Sequence, residues 1–227
     1  MSKSIVAFSK DNNVPAHLRT GSSLGNENVT ADNLKIPRLD LIQQLSPQCI
    51  KSNPKYIEGA ETGLIFDNLT NELYENVFVV NLMFEEHFSV FKKRSLGGGF
   101  EGNFETEEAA RQHLESKGLE LAQYDISKTG VHKCLMLDDK GVPKQPVLLY
   151  MNGSKLPVSD QWNTLIRLKG EGTDRFATAW VLSSQEAVNK QNQPYQNWKV
   201  DFAGFVNEDL YKAAKDTYLS LTGQRGQ

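Results

Sequence analysis

Apolar residues along the chain fall into short runs broken by Gly, Pro, Asn and Asp, a pattern that predicts strands more often than helices. Val147 to Met151 is bounded by Pro146 and Asn152-Gly153 and is too short for a globular helix, so it is expected as a buried strand. Lys133 to Leu137, with the turn Asp138-Asp139-Lys140-Gly141, supplies its hairpin partner. Val77 to Phe91 is rich in Val and Phe and is expected as a long central strand bent around a small barrel. Gly63 to Tyr74 reads as two short strands about Asp67-Asn68. In Ile36 to Leu45, helix and strand periods fit equally well; Pro37 tilts the choice toward a strand. Phe176 to Leu182 and Trp198 to Val206 face each other across a polar connection as a second hairpin, with Phe176, Thr178, Trp180 and Leu182 sharing one face.

Three segments show the helical period. After the glycine-rich stretch 97–102, Thr106 caps a helix with Glu107 and Glu108 in its first turn and Gly118 as its stop. Ser159 or Asp160 is expected to cap a short helix through Leu168 that buries Trp162, Leu165 and Ile166. Asn207 caps the last helix, which ends at Gly223. No βα alternation is sustained. The expected fold is therefore α+β, mainly β with α decorations: an OB-like antiparallel barrel with an inserted helix at about 97–125 and a C-terminal helix. Residues 1–29 read as a flexible leader poor in residues to bury, 30–223 as one domain and 224–227 as a tail.

Composition narrows the function. A net charge of −3 hides an uneven distribution, because residues 101–125 hold seven acidic and two basic side chains while residues 126–227 are basic on balance. Cys49 and Cys134 are too few for a disulfide framework. No apolar run is long enough for a membrane span or a signal peptide, so a cytoplasmic protein is expected. Gly97, Gly99 and Gly102 match G-x-G-x-x-G, yet four acidic residues between Glu101 and Glu108 stand where phosphates would bind. Glu85, Glu86 and His87 lack a nucleophile, and His17, His113 and His132 lack a second ligand at metal spacing. No cofactor and no enzymatic activity are expected.

What remains is a block of rings and cations. Single-stranded nucleic acid is held by a basic groove whose aromatic rings stack on bases, each contributing about 1–3 kcal/mol. Lys155, Trp162, Arg167, Lys169, Arg175, Lys190, Tyr195, Trp198 and Lys199 supply both types in one stretch, and Lys92, Lys93 and Arg94 add a basic strand end. Core burial competes for Trp162, Trp180 and Trp198, since large aromatics usually lie inside. Tyr195, in the polar hairpin tip with Lys190, fits turn packing and base stacking equally well.

The stretches KIPRLDLIQQLSPQCIKSNPKYIEGAETG, MNGSKLPVSDQWNTLI and QPYQNWKVDFAGFV, about a third of the chain, resemble replication-associated single-stranded DNA-binding proteins of tailed bacteriophages and a broader set of phage proteins of similar length. The resemblance implies an oligonucleotide-binding fold, single-stranded DNA as ligand, a role in replication or recombination, and room for a polymerase or helicase and for a homo-oligomer as partners. Many such proteins end in an acidic recruitment tail, whereas this chain ends in LTGQRGQ. A phage structural or assembly protein acting through protein contacts is the competing reading.

Overall fold

The computed structural model describes residue 21 and residues 24–29, 34–189 and 192–223. The chain divides into two units, residues 1–35 and residues 36–227. In the first, the described residues form turns, with Gly25 N–H donating to Glu27 and Val29 N–H to Asn26 C=O. The expected flexible leader lies mostly outside the described residues. So do Lys190 and the tail.

The second unit contains β1 (Leu39–Leu41), β2 (Ile65–Asp67), β3 (Leu73–Tyr74), β4 (Asn76–Lys92), β5 (Phe100–Phe104), α1 (Glu107–Ser116), β6 (Tyr124–Leu137), β7 (Pro143–Asn152), α2 (Leu156–Lys169), β8 (Thr178–Val188), β9 (Pro194–Phe205) and α3 (Glu208–Leu221). Strands β1 to β3 make a small antiparallel sheet. The large sheet has the order β7-β6-β4-β8-β9, with β5 on the far end of β4, and every pairing in it is antiparallel.

The α+β class and the antiparallel pairing are as expected, but the sheet does not close into a barrel. Closure would need β7 to meet β9, and instead the inner face of the large sheet is covered by α2 and the small sheet. Leu39, Leu41 and Ile65 pack there with Val79, Trp162, Trp180 and Trp198. The apolar stripe of α3, with Ala214 fully buried, covers Val80, Leu82 and Leu135 on the opposite face. A third cluster joins Val90 to Ala110 and Leu114 of α1.

Local chemistry explains most boundaries. Thr106 accepts from Ala109 N–H at 3.1 Å and starts α1, and Asn207 accepts from Leu210 N–H at 2.8 Å and starts α3, both as expected. The start of α2 differs, since it begins at Leu156 with Pro157 in its first turn, and Ser159 lies inside the helix, fully buried. The glycine-rich stretch also differs. Phe100–Phe104 is a strand, and Gly102 at φ +154° passes so close to Phe104 that a Cβ would sit 3.2 Å from the ring.

Strand β4 is one strand with two neighbours on the same side. Asn76–Val80 pair with β8, and Phe88–Phe91 pair with β5. Between them the register against β6 slips at Asn81/Met83, leaving Leu82 as the extra residue of a bulge.

Candidate nucleic-acid interface

The structure scatters the residues that sequence reasoning grouped together. Trp162 and Trp198 are buried in the core with Trp180, so neither offers a ring to a base in this structure. Lys155 is tied to Asp40 at 2.8 Å, and Lys199 to Asp201 at 2.8 Å. The Lys169 ammonium lies 5.4 Å from the Phe202 ring centroid at the end of α2, where Arg167 is exposed. Tyr195 is half-buried, its hydroxyl 3.5 Å from the Asn197 amide. Lys190 lies outside the described residues.

Arg175 sits in a buried polar network at the β4 bulge. Its Nε donates to Asn81 Oδ1 at 2.8 Å and its Nη2 to Asn163 Oδ1 at 2.5 Å. Because arginine only donates, Asn81 must present its oxygen to it, which turns the Asn81 Nδ2 toward His132 Nδ1, 2.9 Å away. His132 Nδ1 is therefore the acceptor, and its Nε2 carries the proton and donates to Ser159 Oγ at 2.8 Å. A Ser-His pair that activates a nucleophile needs the opposite tautomer, with a lone pair toward the serine. Both residues are also fully buried. Burial and the neighbouring Arg175 cation hold the His132 pKa down at about 3, while burial lowers that of Arg175 to about 10. The imidazole stacks on Trp162 with centroids 4.5 Å apart. This network positions α2 and the segment before β8 against the sheet.

The far end of β4 is built differently. Alternation puts His87, Ser89 and Phe91 on one face. Phe91 pairs with Phe100 of β5, and their rings lie 5.4 Å apart at 38% and 59% exposure. Lys92, Lys93 and Arg94 follow directly and make no ion pair among the described residues. Lys93 N–H donates to Gln123 C=O, and Gly97 at φ +96° closes the 3-10 turn Arg94–Leu96, so the basic corner is fixed by backbone bonds. Farther back along β4, the His87 ring faces Tyr150 at 6.2 Å, and the Arg38 guanidinium lies 5.8 Å from the Tyr150 ring centroid. Ser89 bonds Asn103 at 2.8 Å, joining β4 to β5 under the exposed rings.

A cavity of about 390 Å³ elsewhere brings Lys155 and Tyr195 together with Arg38, Lys55, Gln43 and Gln48. Asp40 is the carboxylate within it, and it already holds Lys155. Phe91, Phe100 and Arg38 lie outside a reading centred on residues 150–200. One signal was available in Phe91 immediately preceding Lys92-Lys93-Arg94. The pairing that brings up Phe100 depends on β5, which its glycines concealed. Among the described residues no group of His, Cys, Asp and Glu could hold a metal ion, and no helix is long and apolar enough to cross a membrane.

Residues 8–227 match the model of a protein family described as Pam3 phage gp34-like protein. No curated protein and no solved structure matches the chain.

Proposed function

The chain belongs to the Pam3 phage gp34-like protein family, and from that premise we propose that it binds single-stranded DNA without sequence preference, in support of phage DNA replication or recombination in the host cytoplasm. The observation that carries this reading is the pair Phe91 and Phe100, exposed, 5.4 Å apart and bordered by three cations free of ion pairs among the described residues. Two adjacent exposed rings offer an apolar platform that a ligand can cover, and every base has a π-face to stack on it. Lys92, Lys93 and Arg94 then contact phosphates, while the buried tryptophans support the scaffold.

The test is fluorescence anisotropy of a labelled oligothymidine at several salt concentrations, since tryptophans packed inside the core are poor reporters of binding. Replacing Phe91 and Phe100 by Ala should weaken binding by about 1–3 kcal/mol per ring at every salt concentration. Replacing Lys92, Lys93 and Arg94 by Ala should flatten the dependence of log affinity on log salt by about 2, at roughly 0.7 per lost phosphate contact. Duplex DNA and RNA oligomers serve as competitors. No saturable anisotropy change at low salt, or wild-type affinity in the Phe91→Ala/Phe100→Ala variant, would overturn the proposal. Assembly through protein contacts is the second reading, favoured by exposed Phe202 and Phe205 near the sheet edge. A defined large oligomer without DNA affinity would select it.

A further inference from the structure

Strand β9 is an edge of the large sheet, and its outer side is treated unevenly along its length. At Gln196 the side chain of Gln43 stands in for a neighbouring strand. Gln43 Oε1 accepts from Gln196 N–H at 2.8 Å, and Gln43 Nε2 donates to Gln196 C=O at 2.9 Å. These bonds show that Gln196 turns both backbone groups outward, so by antiparallel alternation Trp198 and Val200 do the same. Trp198 is also closed off, its N–H donating to Asn197 Oδ1 at 2.9 Å and its C=O accepting from Gln185 at 3.3 Å. Farther along, the register against β8 slips at Ala179/Trp180 and the strand bends. Between the capped end and the bulge, Val200 presents an outward N–H and C=O where no strand lies among the described residues. Phe202 and Phe205 flank this opening at 37% and 67% exposure, their rings 5.5 Å apart.

We infer that this edge is a homodimer interface in which Val200 pairs antiparallel with Val200 of a second copy, joining two large sheets into one. The charges beside Val200 identify the occupant. Lys199 and Asp201 are about half exposed and already bond each other at 2.8 Å. Under a two-fold axis through Val200, Lys199 of each copy faces Asp201 of the other, giving a ring of four alternating charges. Centring the axis one residue earlier sets Lys199 against Lys199, and one residue later sets Asp201 against Asp201. The sequence Lys-Val-Asp is thus complementary to itself in a single register. A foreign strand would need that pattern by coincidence; a second copy always has it. Pairing also removes Phe202 from water, and exposed edges left without such a partner are normally blocked along their whole length.

Sedimentation velocity over a wide dilution series, without nucleic acid, tests the interface independently of DNA binding. The wild-type chain should show a monomer–dimer equilibrium. Lys199→Asp and Asp201→Lys should each weaken dimerisation about tenfold or more, because two symmetry-related contacts turn from attraction to repulsion. Mixing the two variants should restore dimers, since every facing pair across the mixed interface is again of opposite charge. Val200→Pro removes the outward N–H while leaving the ladder to β8 intact, and should give a folded monomer by circular dichroism. A wild-type chain that stays monomeric at its highest concentration, or two charge variants that dimerise as well alone as when mixed, would overturn the inference.

Discussion

The buried imidazole of His132 makes stability depend on pH in a calculable way. His132 is neutral and desolvated, with a pKa of about 3 against 6.5 for the free side chain. The unfolded chain therefore binds a proton that the folded chain refuses between those values. Stability from this group is complete above about pH 6.5 and falls with pH toward 3, at about 1.4 kcal/mol per unit. By pH 5 the loss reaches about 2 kcal/mol, a large share of the stability of an ordinary domain. Arg175, the cation nearest the ring, does not titrate in this range, so it opposes protonation throughout. The perturbation is His132→Asn, which keeps a polar side chain and removes the titration. Urea unfolding followed by tryptophan fluorescence at pH 7, 6, 5 and 4.5 gives each free energy. Carboxylates elsewhere titrate equally in both proteins, so the difference between the two curves isolates the imidazole. Wild type should lose about 2 kcal/mol more than the variant between pH 7 and 5. Parallel curves would refute the assignment of His132 as a neutral, proton-refusing member of the network.

Other consequences of the packing are open to direct measurement. Gly130→Ala would place a Cβ 2.7 Å from Ser159 Oγ and 3.0 Å from the Phe84 ring, and should cost about 1–3 kcal/mol in urea unfolding. Arg175→Met leaves the amide oxygens of Asn81 and Asn163 without their donor, and should lower stability by about 1–3 kcal/mol without changing the salt dependence of DNA binding. Burial pushes the Cys134 thiol pKa well above its usual value, so a thiol reagent at pH 8 should label half-buried Cys49 in the native protein and reach Cys134 only on unfolding. Asn207→Ala removes the bond to Leu210 N–H and should cost about 1 kcal/mol, read as a drop in the urea midpoint.

How much of this was legible in the sequence follows from where each signal lies. The helix starts at Thr106 and Asn207 were readable because a cap acts within three residues of itself. The central strand was readable to within a residue at each end because Val and Phe dominate Val77 to Phe91, although the bulge at Asn81 was not. A bulge depends on what the neighbouring strand requires, here the placement of Asn81 between His132 and Arg175. The buried tryptophans illustrate the same limit for function. Ring-and-cation composition is alike in a groove and in a core, and Trp162 is inside because α2 lies flat against the sheet, a long-range fact. Ser159 looked like a helix cap from its neighbours, and its actual partner, His132, is 27 residues away.

The bulge at Asn81 also separates what β4 does on either side of it. Before it, Val77 and Val79 face the core under α2, and Phe78 and Val80 face α3, so both faces are committed to packing. After it, α1 packs one face at Val90, while the other carries His87, Ser89 and Phe91 out to the exposed Phe100. Core packing and the exposed ring pair are thereby placed on different halves of one strand, joined by the hydrogen bonds of Asn81, His132 and Arg175 rather than by shared side chains. Sites that far apart should act additively. Combining Arg175→Met with Phe91→Ala should therefore lower stability by the first change alone and DNA affinity by the second alone. A double variant whose losses exceed the sum of the singles would show that the network also sets the position of the exposed rings.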